Sequence, residues 1–301
     1  MGPHRLGAFQ GETHRPAKAG IRLGVRFYRG MTTSNTFHDN EGLVYVTAPA
    51  LEAFEGFSHA FSTRLGGVST GPFASCNLGM APGEESANVV ENRRRLFKAL
   101  RLPHGPLTTV NQVHSAEVVA VRPPAARGAT GRDADAMVSD CVEVPLAVFH
   151  ADCPPVVFYD PRRRALGLAH AGREGLRKGI ARGLVRTMVK ELGSDPLDLH
   201  AAIGPGIRAC CYEVGPEVEE AWKTSVPGSR EVFVPGPSGS AHLDLPEAIV
   251  RQLCDGGVPR DQIYDTGLCT ACRTDTFFSY RAEGATTGRL MTLAVLLPTL
   301  S

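Results

Sequence analysis

A cysteine and a histidine stand at the borders of two apolar runs in residues 149–172, FHADCPPVVFYDPRRRALGLAHAG. Cys153 precedes the run VVFY, and His170 closes the run ALGLA shortly before a glycine. Two prolines follow Cys153, and because proline fixes the backbone and removes an N–H donor, they favour a rigidly displayed side chain. A free cysteine in a strand is commonly just a small buried hydrophobe, so this segment alone leaves both interpretations open.

A second histidine, His114 in the polar stretch NQVH, favours the functional interpretation. Asn111, Gln112 and His114 interrupt a strand-like run, and buried polar groups need partners. Two histidines and one cysteine form a three-ligand zinc set that leaves a fourth position for water or substrate, as in catalytic zinc sites. The spacing matches no compact zinc motif. His150, three residues before Cys153, stays open as a rival ligand, although its apolar run also suits a core histidine.

Two arginines end short β-type runs and could hold an anion. Arg64 follows FST, and Arg281 follows FFSY. The planar guanidinium group binds phosphate or carboxylate through paired hydrogen bonds, so strand-end arginines suit an anionic substrate. Taken singly, each arginine is better interpreted as a solvated surface residue.

The remaining cysteine pattern is CxxC, formed by Cys269 and Cys272 in GLCTACR. A structural zinc knuckle needs a second pair of ligands, and the adjacent pair Cys210–Cys211 has no intervening residues. The sequence therefore predicts ordinary thiols at these positions.

Strands and helices alternate along residues 42–301 and must position these side chains. Strands are predicted for LVYVTA, GFSHAFS, TTVNQVHSAEVVAV, VPLAVFHAD, PVVFYD and ALGLAH, and helices for ESANVVENRRRLFKALRLP, EGLRKGIARGLVRTMVKELG and DLPEAIVRQLCDGG. This pattern predicts a mixed α/β fold and a single catalytic domain. His170 would then lie at a strand end, beside a helix N-terminus with its positive dipole.

Composition narrows the class of protein. Lys plus Arg number 32 against 31 for Asp plus Glu, so the net charge of +1 gives no reason to expect nucleic acid or an anionic membrane as partner. The longest wholly apolar run, LAVLL, is far shorter than the ~18 residues of a membrane span. Eight cysteines in 301 residues do not indicate a disulfide scaffold. These properties predict a cytoplasmic protein.

Residues 1–41 differ from the rest of the chain. They carry five arginines and one lysine among scattered glycines and prolines, without sustained periodicity. Glycine and proline argue against the amphipathic helix of a transit peptide. We therefore expect a disordered tail, or an extension produced by a translation start assigned upstream of Met31.

Seven motifs occur in the order seen in the YfiH/laccase-domain family, which the chain resembles over roughly residues 43–298. They are FSTRLGGVSTGPFASCNLG, NQVHSAEV, DADAMVSD, ADCPPVVFYD, AHAG, IGPGIRACCYEVG and LCTACRTDTFFSYR. The resemblance implies a layered α/β sandwich related to the catalytic domain of cytotoxic necrotizing factor. It also implies zinc bound by His114, Cys153 and His170, with no ligand role for His150.

The same resemblance implies a purine nucleoside phosphorylase acting on adenosine or inosine, with possible adenosine deaminase and methylthioadenosine phosphorylase activity. Phosphorolysis needs an anion site for phosphate, which Arg64 and Arg281 would supply. Asn77, Gln112 and Asp135 could orient the ribose or the base. In deamination, zinc would lower the pKa of a bound water.

One motif departs from the family pattern. The family usually reads HAGWRG where this chain reads HAGREG, so Arg173 replaces a tryptophan and Glu174 replaces an arginine. An aromatic stacking face is lost, and a carboxylate stands where a cation would be. Zinc binding should survive this change, whereas the substrate range could differ.

Three alternative functions fit parts of the sequence. A mononuclear copper polyphenol oxidase would bind copper through the same two histidines and one cysteine, with a weak axial methionine. The ten histidines contain no His-X-His pair, which excludes a true multicopper laccase. A cysteine hydrolase or amidase, linked to the editing of peptidoglycan precursors, would use Cys153 as nucleophile and His170 or His114 as base. A metal-dependent regulator without catalysis is the third alternative.

Overall fold

The computed structural model describes residues 35–122, 129–226, 228–236 and 240–298, which belong to one compact unit. The strands within them are β1 Thr36–Asn40, β2 Leu43–Thr47, β3 Phe57–Ser62, β4 Thr109–Asn111, β5 Val118–Ala120, β6 Ala129–Asp133, β7 Ala136–Ser139, β8 Leu146–His150, β9 Pro155–Asp160, β10 Ala165–His170, β11 His200–Ile203, β12 Glu213–Val214, β13 Phe233–Pro235, β14 Ala241–Leu243, β15 Ile263–Asp265 and β16 Leu290–Leu296. The helices are α1 Pro49–Glu52, α2 Ser86–Ala99, α3 Arg173–Arg177, α4 Ile180–Leu192, α5 Pro216–Ser225, α6 Leu245–Asp255 and α7 Tyr280–Glu283.

Two large sheets form the centre of the structure. The first has the strand order β1–β2–β3–β16–β8 and is antiparallel throughout. The second has the order β15–β11–β9–β10–β7–β5, with parallel pairing at both outer positions and antiparallel pairing between. The strands β12, β14 and β13 form a small third sheet, and β4 pairs with β6.

The alternation of apolar side chains along β9 explains how the layers stack. Val157 and Tyr159 belong to the core between the two large sheets, whereas Val156 and Phe158 belong to the core shared with α4 and α6. Because successive strand residues point to opposite faces, an apolar run such as PVVFYD is buried on both sides. On the outer face of the five-stranded sheet, α2 packs Leu96 and Phe97 against a third core. The predicted mixed α/β, layered sandwich is therefore confirmed.

The helix predicted from the segment EGLRKGIARGLVRTMVKELG is divided into α3 and α4. Gly179 separates them with a left-handed φ of 90°, a conformation that glycine adopts without steric penalty. The apolar stripe continues across the break, since Leu176, Ile180, Leu184 and Met188 are all buried. The periodicity thus identified the buried face correctly but not the turn within it.

The strand predicted from TTVNQVHSAEVVAV is also divided. Its first part is β4, paired with β6, and its second part is β5, at the edge of the six-stranded sheet. The loop between them contains His114 with a left-handed φ of 56°. This interruption places Gln112 and His114 in the loop, directly after Asn111 at the end of β4.

The boundary expected at residue 42 needs correction. Thr36–Asn40 forms β1 and pairs in register with Leu43–Thr47, so this part of the expected tail belongs to the five-stranded sheet. The strand has no alternating hydropathy, because Thr36, His38 and Asn40 lie on its half-buried face whereas the apolar Phe37 is exposed. The rest of the tail prediction falls on residues 1–34, outside the described residues.

Among the described residues, no helix combines the length and the apolar character needed to cross a bilayer.

Candidate active site

His170 is the last residue of β10 and lies almost completely inside the structure, with 4% of its surface exposed. Its Nδ1 lies 2.9 Å from Oδ1 of Asp135, a carboxylate with no exposed surface. This hydrogen bond fixes the imidazole ring and its tautomer, so that Nε2 is the atom left for a ligand.

Asp135 also holds the loop that carries His114. Its Oδ2 accepts hydrogen bonds from the backbone N–H groups of Val113 and Ser115, at 3.2 and 2.5 Å, and from the Ser115 hydroxyl at 2.9 Å. Burial raises the pKa of Asp135, but the hydrogen bonds from His170 and Ser115 outweigh burial and lower it to about 2. One ionised carboxylate therefore positions both histidines.

Cys153 lies in the loop between β8 and β9, directly after Asp152, whose φ of 94° is left-handed. Three other chain segments hold Asp152 in place. Its carboxylate accepts from the Thr270 hydroxyl and from the Arg281 backbone N–H, both at 2.6 Å, and its carbonyl accepts from the Ile207 N–H. The position of Cys153 is thus determined by residues far away in the sequence.

The ligand atoms of His114, Cys153 and His170 all lie within 4.8 Å of one another. Sγ of Cys153 is 4.0 Å from Nε2 of His114, and the two imidazole centroids are 5.0 Å apart. Gly172 closes one side, where a Cβ would lie 2.9 Å from Sγ of Cys153. Two nitrogen donors and one sulfur donor at this separation fit a zinc or copper ion.

Electrostatic interactions among these three side chains shift the pKa values of Cys153 and His170 even without a metal ion. Burial raises the pKa of the Cys153 thiol, but the neighbouring His170 and His114 outweigh burial and lower it to about 6. Burial lowers the pKa of His170, whereas Cys153 and Asp135 raise it to about 9. The attraction between Cys153 and His170 therefore favours the charged form of each, a thiolate beside an imidazolium.

These side chains line a cleft of about 900 Å³. Its other polar lining residues include Asn111, Gln112, Asp152, Arg173, Glu174, Arg281 and Arg289, and its apolar ones include Met80, Phe149, Tyr212 and Tyr280. A space of this volume is typical of small-molecule sites. The cluster of donors thus faces a cavity large enough for a nucleoside-sized ligand.

Arg64 lies elsewhere, contrary to the prediction of an anion-binding role. Its guanidinium donates to the carbonyl oxygens of Ala74 and Thr274, at 2.9 and 2.7 Å, and pairs with Glu283 at 2.6 Å. It also lies over the ring of Phe278. These partners engage Nε and Nη1 of the guanidinium, so Arg64 joins three segments of the chain.

The side chains of Asn77 and Gln112 form hydrogen bonds with backbone groups around the cleft. The fully buried Asn77 donates to the Gly79 carbonyl and accepts from the backbone N–H of Arg289 at 2.8 Å. Gln112 lines the cleft, yet its amide pairs with the backbone N–H and carbonyl of Phe149, at 2.8 and 2.7 Å. Both amides therefore hold cleft-lining segments in position.

Arg281 lines the cleft, and its role in substrate binding stays a prediction. Its Nη1 donates to the Glu213 carbonyl at 3.0 Å, and its guanidinium lies 5.0 Å from the centroid of the Tyr212 ring. The sequence reasoning missed a second cleft arginine, Arg289, because it follows an unremarkable glycine in GATTGRL. Its position on the cleft becomes apparent in the folded chain, where its backbone N–H donates to Asn77.

His150 is not part of the three-donor cluster. It is buried, and its Nε2 lies 3.0 Å from the hydroxyl of Thr292 on β16. Burial lowers its pKa to about 3, so the ring is neutral. The interpretation as a core histidine, rather than the rival ligand, fits this position.

Arg173 and Glu174, which differ from the usual family motif, lie on the wall of the cleft at the start of α3. Glu174 is held between two cations, with Nε of Arg177 at 3.0 Å and Nε of Arg173 at 3.4 Å. Its charge is thus largely compensated within the helix. The replacement changes the lining of the cleft without removing a donor of the cluster.

A family model described as a multi-copper polyphenol oxidoreductase laccase matches residues 58–297. A purine nucleoside phosphorylase named YlmD from Geobacillus stearothermophilus is 37% identical over 246 residues, which cover 79% of this chain and 89% of the relative. A purine nucleoside phosphorylase from Deinococcus radiodurans is 37% identical over 250 residues, covering 83% of this chain and 91% of the relative.

Solved structures agree with these matches. The crystal structure of YlmD from Geobacillus stearothermophilus gives a TM-score of 0.79 at 34% identity and covers 88% of this chain and all of the other. The hypothetical protein YfiH from Bacillus licheniformis gives 0.78 at 30% identity, covering 86% of this chain and 98% of the other. The resemblance inferred from the seven motifs is confirmed, and the chain belongs to the laccase-domain family of YfiH and YlmD.

Proposed function

We propose that this chain is a zinc-dependent purine nucleoside phosphorylase that cleaves adenosine or inosine with inorganic phosphate. The observation that carries the proposal is the meeting, in one cleft, of the donors His114, Cys153 and His170 with the arginines Arg281 and Arg289. Relatives named purine nucleoside phosphorylase support the reaction class. Adenosine deaminase and methylthioadenosine phosphorylase activity belong to the same proposal.

Arg289 is the best candidate for the phosphate ligand. Its Nη1 donates to the carbonyl oxygens of Thr287 and Gly288, while Nε and Nη2 have no partner among the described residues. Asn77 fixes its backbone, and the side chain packs closely against Gly79. A guanidinium held in this way can offer two parallel N–H groups to an anion.

Two exposed apolar side chains on the cleft suit a purine ring. Tyr280 is 54% exposed and Met80 is 58% exposed, and both line the cavity. Planar rings gain from stacking on aromatic and sulfur-containing side chains. We assign the base to this apolar part of the cleft and the ribose to the part near His114.

Zinc fits the donor set of His114, Cys153 and His170, and when bound it would supply a Lewis acid able to polarise an oxygen or lower the pKa of a water. Asp135 keeps the proton on Nδ1 of His170, so that the Nε2 lone pair faces the cluster. Arg281 and Arg289 bind the phosphate and hold it for attack on the ribose. Copper fits the same donors, and elemental analysis of the purified protein distinguishes the two metals.

A nucleoside panel tests the proposal. Adenosine and inosine are incubated with the purified protein, with and without phosphate, and released base and ribose 1-phosphate are separated by chromatography. We expect base and ribose 1-phosphate to appear only with phosphate. Equal base release without phosphate would contradict phosphorolysis.

The anion site has its own test within that panel. Arg289→Ala should raise the KM for phosphate about tenfold or more, since a charge-assisted hydrogen bond contributes roughly 1.5–3 kcal/mol. Arg162→Ala is the matched control, because Arg162 lies in the turn at the far end of the β9–β10 hairpin and pairs with Asp198. An unchanged KM in Arg289→Ala would remove Arg289 from the phosphate site.

The low pKa of Cys153, about 6, favours a cysteine hydrolase as a second candidate. Cys153 would attack an amide carbonyl, with His114 or His170 delivering a proton to the leaving amine. Metal-free protein incubated with peptidoglycan-derived peptides tests this function. Amide cleavage that is lost in Cys153→Ala and inhibited by added zinc would support the hydrolase over the phosphorylase.

A further inference from the structure

A second group of thiols comes together outside the cleft cluster. Cys210, Cys211, Cys269 and Cys272 have all four Sγ atoms within 4.8 Å of one another. Sγ of Cys272 is 3.4 Å from that of Cys210 and 3.2 Å from that of Cys211. The CxxC pair, predicted from the sequence to be ordinary thiols, therefore does have a second pair of cysteines beside it.

The two segments that carry these cysteines follow neighbouring strands. β11 and β15 are parallel and adjacent, so the chain leaves both strands at the same edge of the sheet. Just beyond them, Gly206 and Cys269 form a parallel bridge, and the Thr270 N–H donates to the Gly206 carbonyl at 3.2 Å. The pairing of the strands thus brings Cys210–Cys211 against the CxxC turn.

Backbone hydrogen bonds hold both cysteine segments in tight turns. The carbonyl of Arg208 accepts from the N–H groups of Cys211 and Tyr212, both at 2.9 Å. On the other side, the Arg273 N–H donates to the Thr270 carbonyl at 3.3 Å, which closes the CxxC turn. The four thiols are therefore presented by preformed turns rather than by free loops.

We propose that Cys210, Cys211, Cys269 and Cys272 form a second metal site, which binds a structural zinc ion through four thiolates. Zinc bonds thiolate sulfur at about 2.3 Å in tetrahedral geometry, which corresponds to sulfur–sulfur separations of about 3.8 Å. The two shortest observed sulfur–sulfur distances, 3.2 and 3.4 Å, are below this value, and all four sulfurs lie within 4.8 Å of one another, so metal binding requires only a small adjustment of the side chains. Four protein ligands fill a tetrahedral zinc ion, which makes the site structural rather than catalytic.

The backbone also offers outer support to the thiolates. Cys210 and the backbone N–H groups of Cys272 and Arg208 favour the thiolate form of Cys269, which is only 6% exposed. Such donors stabilise a coordinated thiolate and fix its direction. Cys269 is thus the inner anchor of the site, and the exposed Cys210 and Cys272 complete it from outside.

The second metal site adjoins residues that position the cleft. Ile207 and Thr270, on the two cysteine segments, both hydrogen-bond to Asp152, the residue before Cys153. Tyr212, next to Cys211, lines the cleft, and its ring forms a cation–π contact with the guanidinium of Arg281. A zinc ion that joins the two segments would therefore stiffen one wall of the cleft without touching substrate.

Metal stoichiometry tests the site directly. Protein purified without chelator should contain two zinc ions per chain by elemental analysis. The double variant Cys269→Ser/Cys272→Ser should retain one, and the double variant His114→Ala/His170→Ala should also retain one. Cys254→Ser, which removes an exposed thiol on α6, is the matched control and should retain two.

A spectroscopic test uses the chain with its four cysteines intact, so it holds even if the serine variant fails to fold. Metal-free His114→Ala/His170→Ala protein is titrated with Co²⁺ under reducing conditions. One equivalent should bind with intense thiolate-to-cobalt charge-transfer absorption, which exceeds the absorption that the cleft cluster, with its single thiolate, can give. Binding of no equivalent, or a disulfide among the four cysteines in the native protein by intact mass, would overturn the proposal.

Discussion

The two clusters of candidate metal ligands differ in donors, burial and support. The cleft cluster has two imidazoles and one thiol, and its histidine on β10 is oriented by a buried carboxylate. The four-cysteine cluster has only thiols, two of them on exposed residues, and is shaped by backbone turns. Three donors beside a cavity leave room for chemistry at a metal, whereas four donors leave none. Under the two proposals, zinc would have a catalytic role in the cleft cluster and a structural role in the four-cysteine cluster.

The largest expected effect comes from removing a donor of the cleft cluster. Cys153→Ala or His170→Ala should lower kcat/KM by about 10³-fold or more, since the loss exceeds the 10–100-fold typical of outer-shell partners. Cys269→Ser/Cys272→Ser should lower kcat/KM less than about tenfold and mainly reduce the Tm, because a structural site contributes to folding. Steady-state kinetics and thermal unfolding of all three variants measure this contrast. Equal losses of activity at equal folded content would break the distinction between the clusters.

The second-largest effect is expected from Gly172→Ala, which adds one methyl group beside the cleft cluster. In Gly172→Ala the new Cβ would lie 2.9 Å from Sγ of Cys153 and 3.0 Å from Cδ2 of His114. The donors must move apart, so we expect zinc in the cleft site to fall and kcat to drop roughly 100-fold, as misplaced catalytic groups do. Gly105→Ala is the control, because its Cβ meets nothing within 4 Å. Zinc content that stays at the wild-type level in Gly172→Ala would mean that the cluster tolerates the displacement.

Removing the charge of the carboxylate that orients His170 should have a smaller effect. Asp135→Asn keeps the shape but removes the charge that orients His170 and accepts from Ser115. Zinc affinity of the cleft cluster should fall about 10–100-fold, the range found for outer-shell partners, while the four-cysteine cluster keeps its metal. Competition with a chromophoric chelator measures both affinities. Asp198→Asn, at an exposed ion pair with Arg162, should leave both unchanged.

The smallest effect is expected from restoring the usual family residues at positions 173 and 174, at the start of α3. Arg173→Trp with Glu174→Arg removes a carboxylate from the cleft wall and should lower the KM for phosphate severalfold, because like charges in a cleft repel. The effect is limited because Arg177 and Arg173 already compensate Glu174. Zinc content should not change at either cluster. A KM for phosphate identical to that of the wild type would assign both side chains to the solvent side of the wall.

Much of the fold could be predicted from apolar runs, because strands such as β9 and β10 are buried on both faces and read as continuous hydrophobic segments. The breaks were not predictable, since Gly179 and His114 interrupt segments whose periodicity continues. The side-chain chemistry of His114, Cys153 and His170 suggested a metal site but left His150 as a rival, and the family resemblance selected the three ligands. Their assembly depends on strand pairing that no local pattern reveals.

The partners of charged and thiol side chains were the least predictable feature. Arg64 resembled an anion ligand in the sequence, but Glu283, more than 200 residues away, occupies its guanidinium. Cys210 and Cys272 resembled unrelated thiols, and only the parallel pairing of β11 with β15 brings them together. In both cases the deciding contact is long-range. A sequence pattern identifies what a side chain can do but not which neighbour it will meet.

The place of β16 has a consequence for how the chain is made. This strand, Leu290–Leu296, lies in the middle of the five-stranded sheet, between β3 and β8, although both neighbours are synthesised much earlier. On the ribosome, β3 and β8 must therefore wait with unpaired edges until the last strand emerges, and such edges invite aggregation. Contacts of such high sequence separation also slow folding. The nascent chain is thus expected to depend on chaperones, and the sheet to close only after synthesis has passed residue 296.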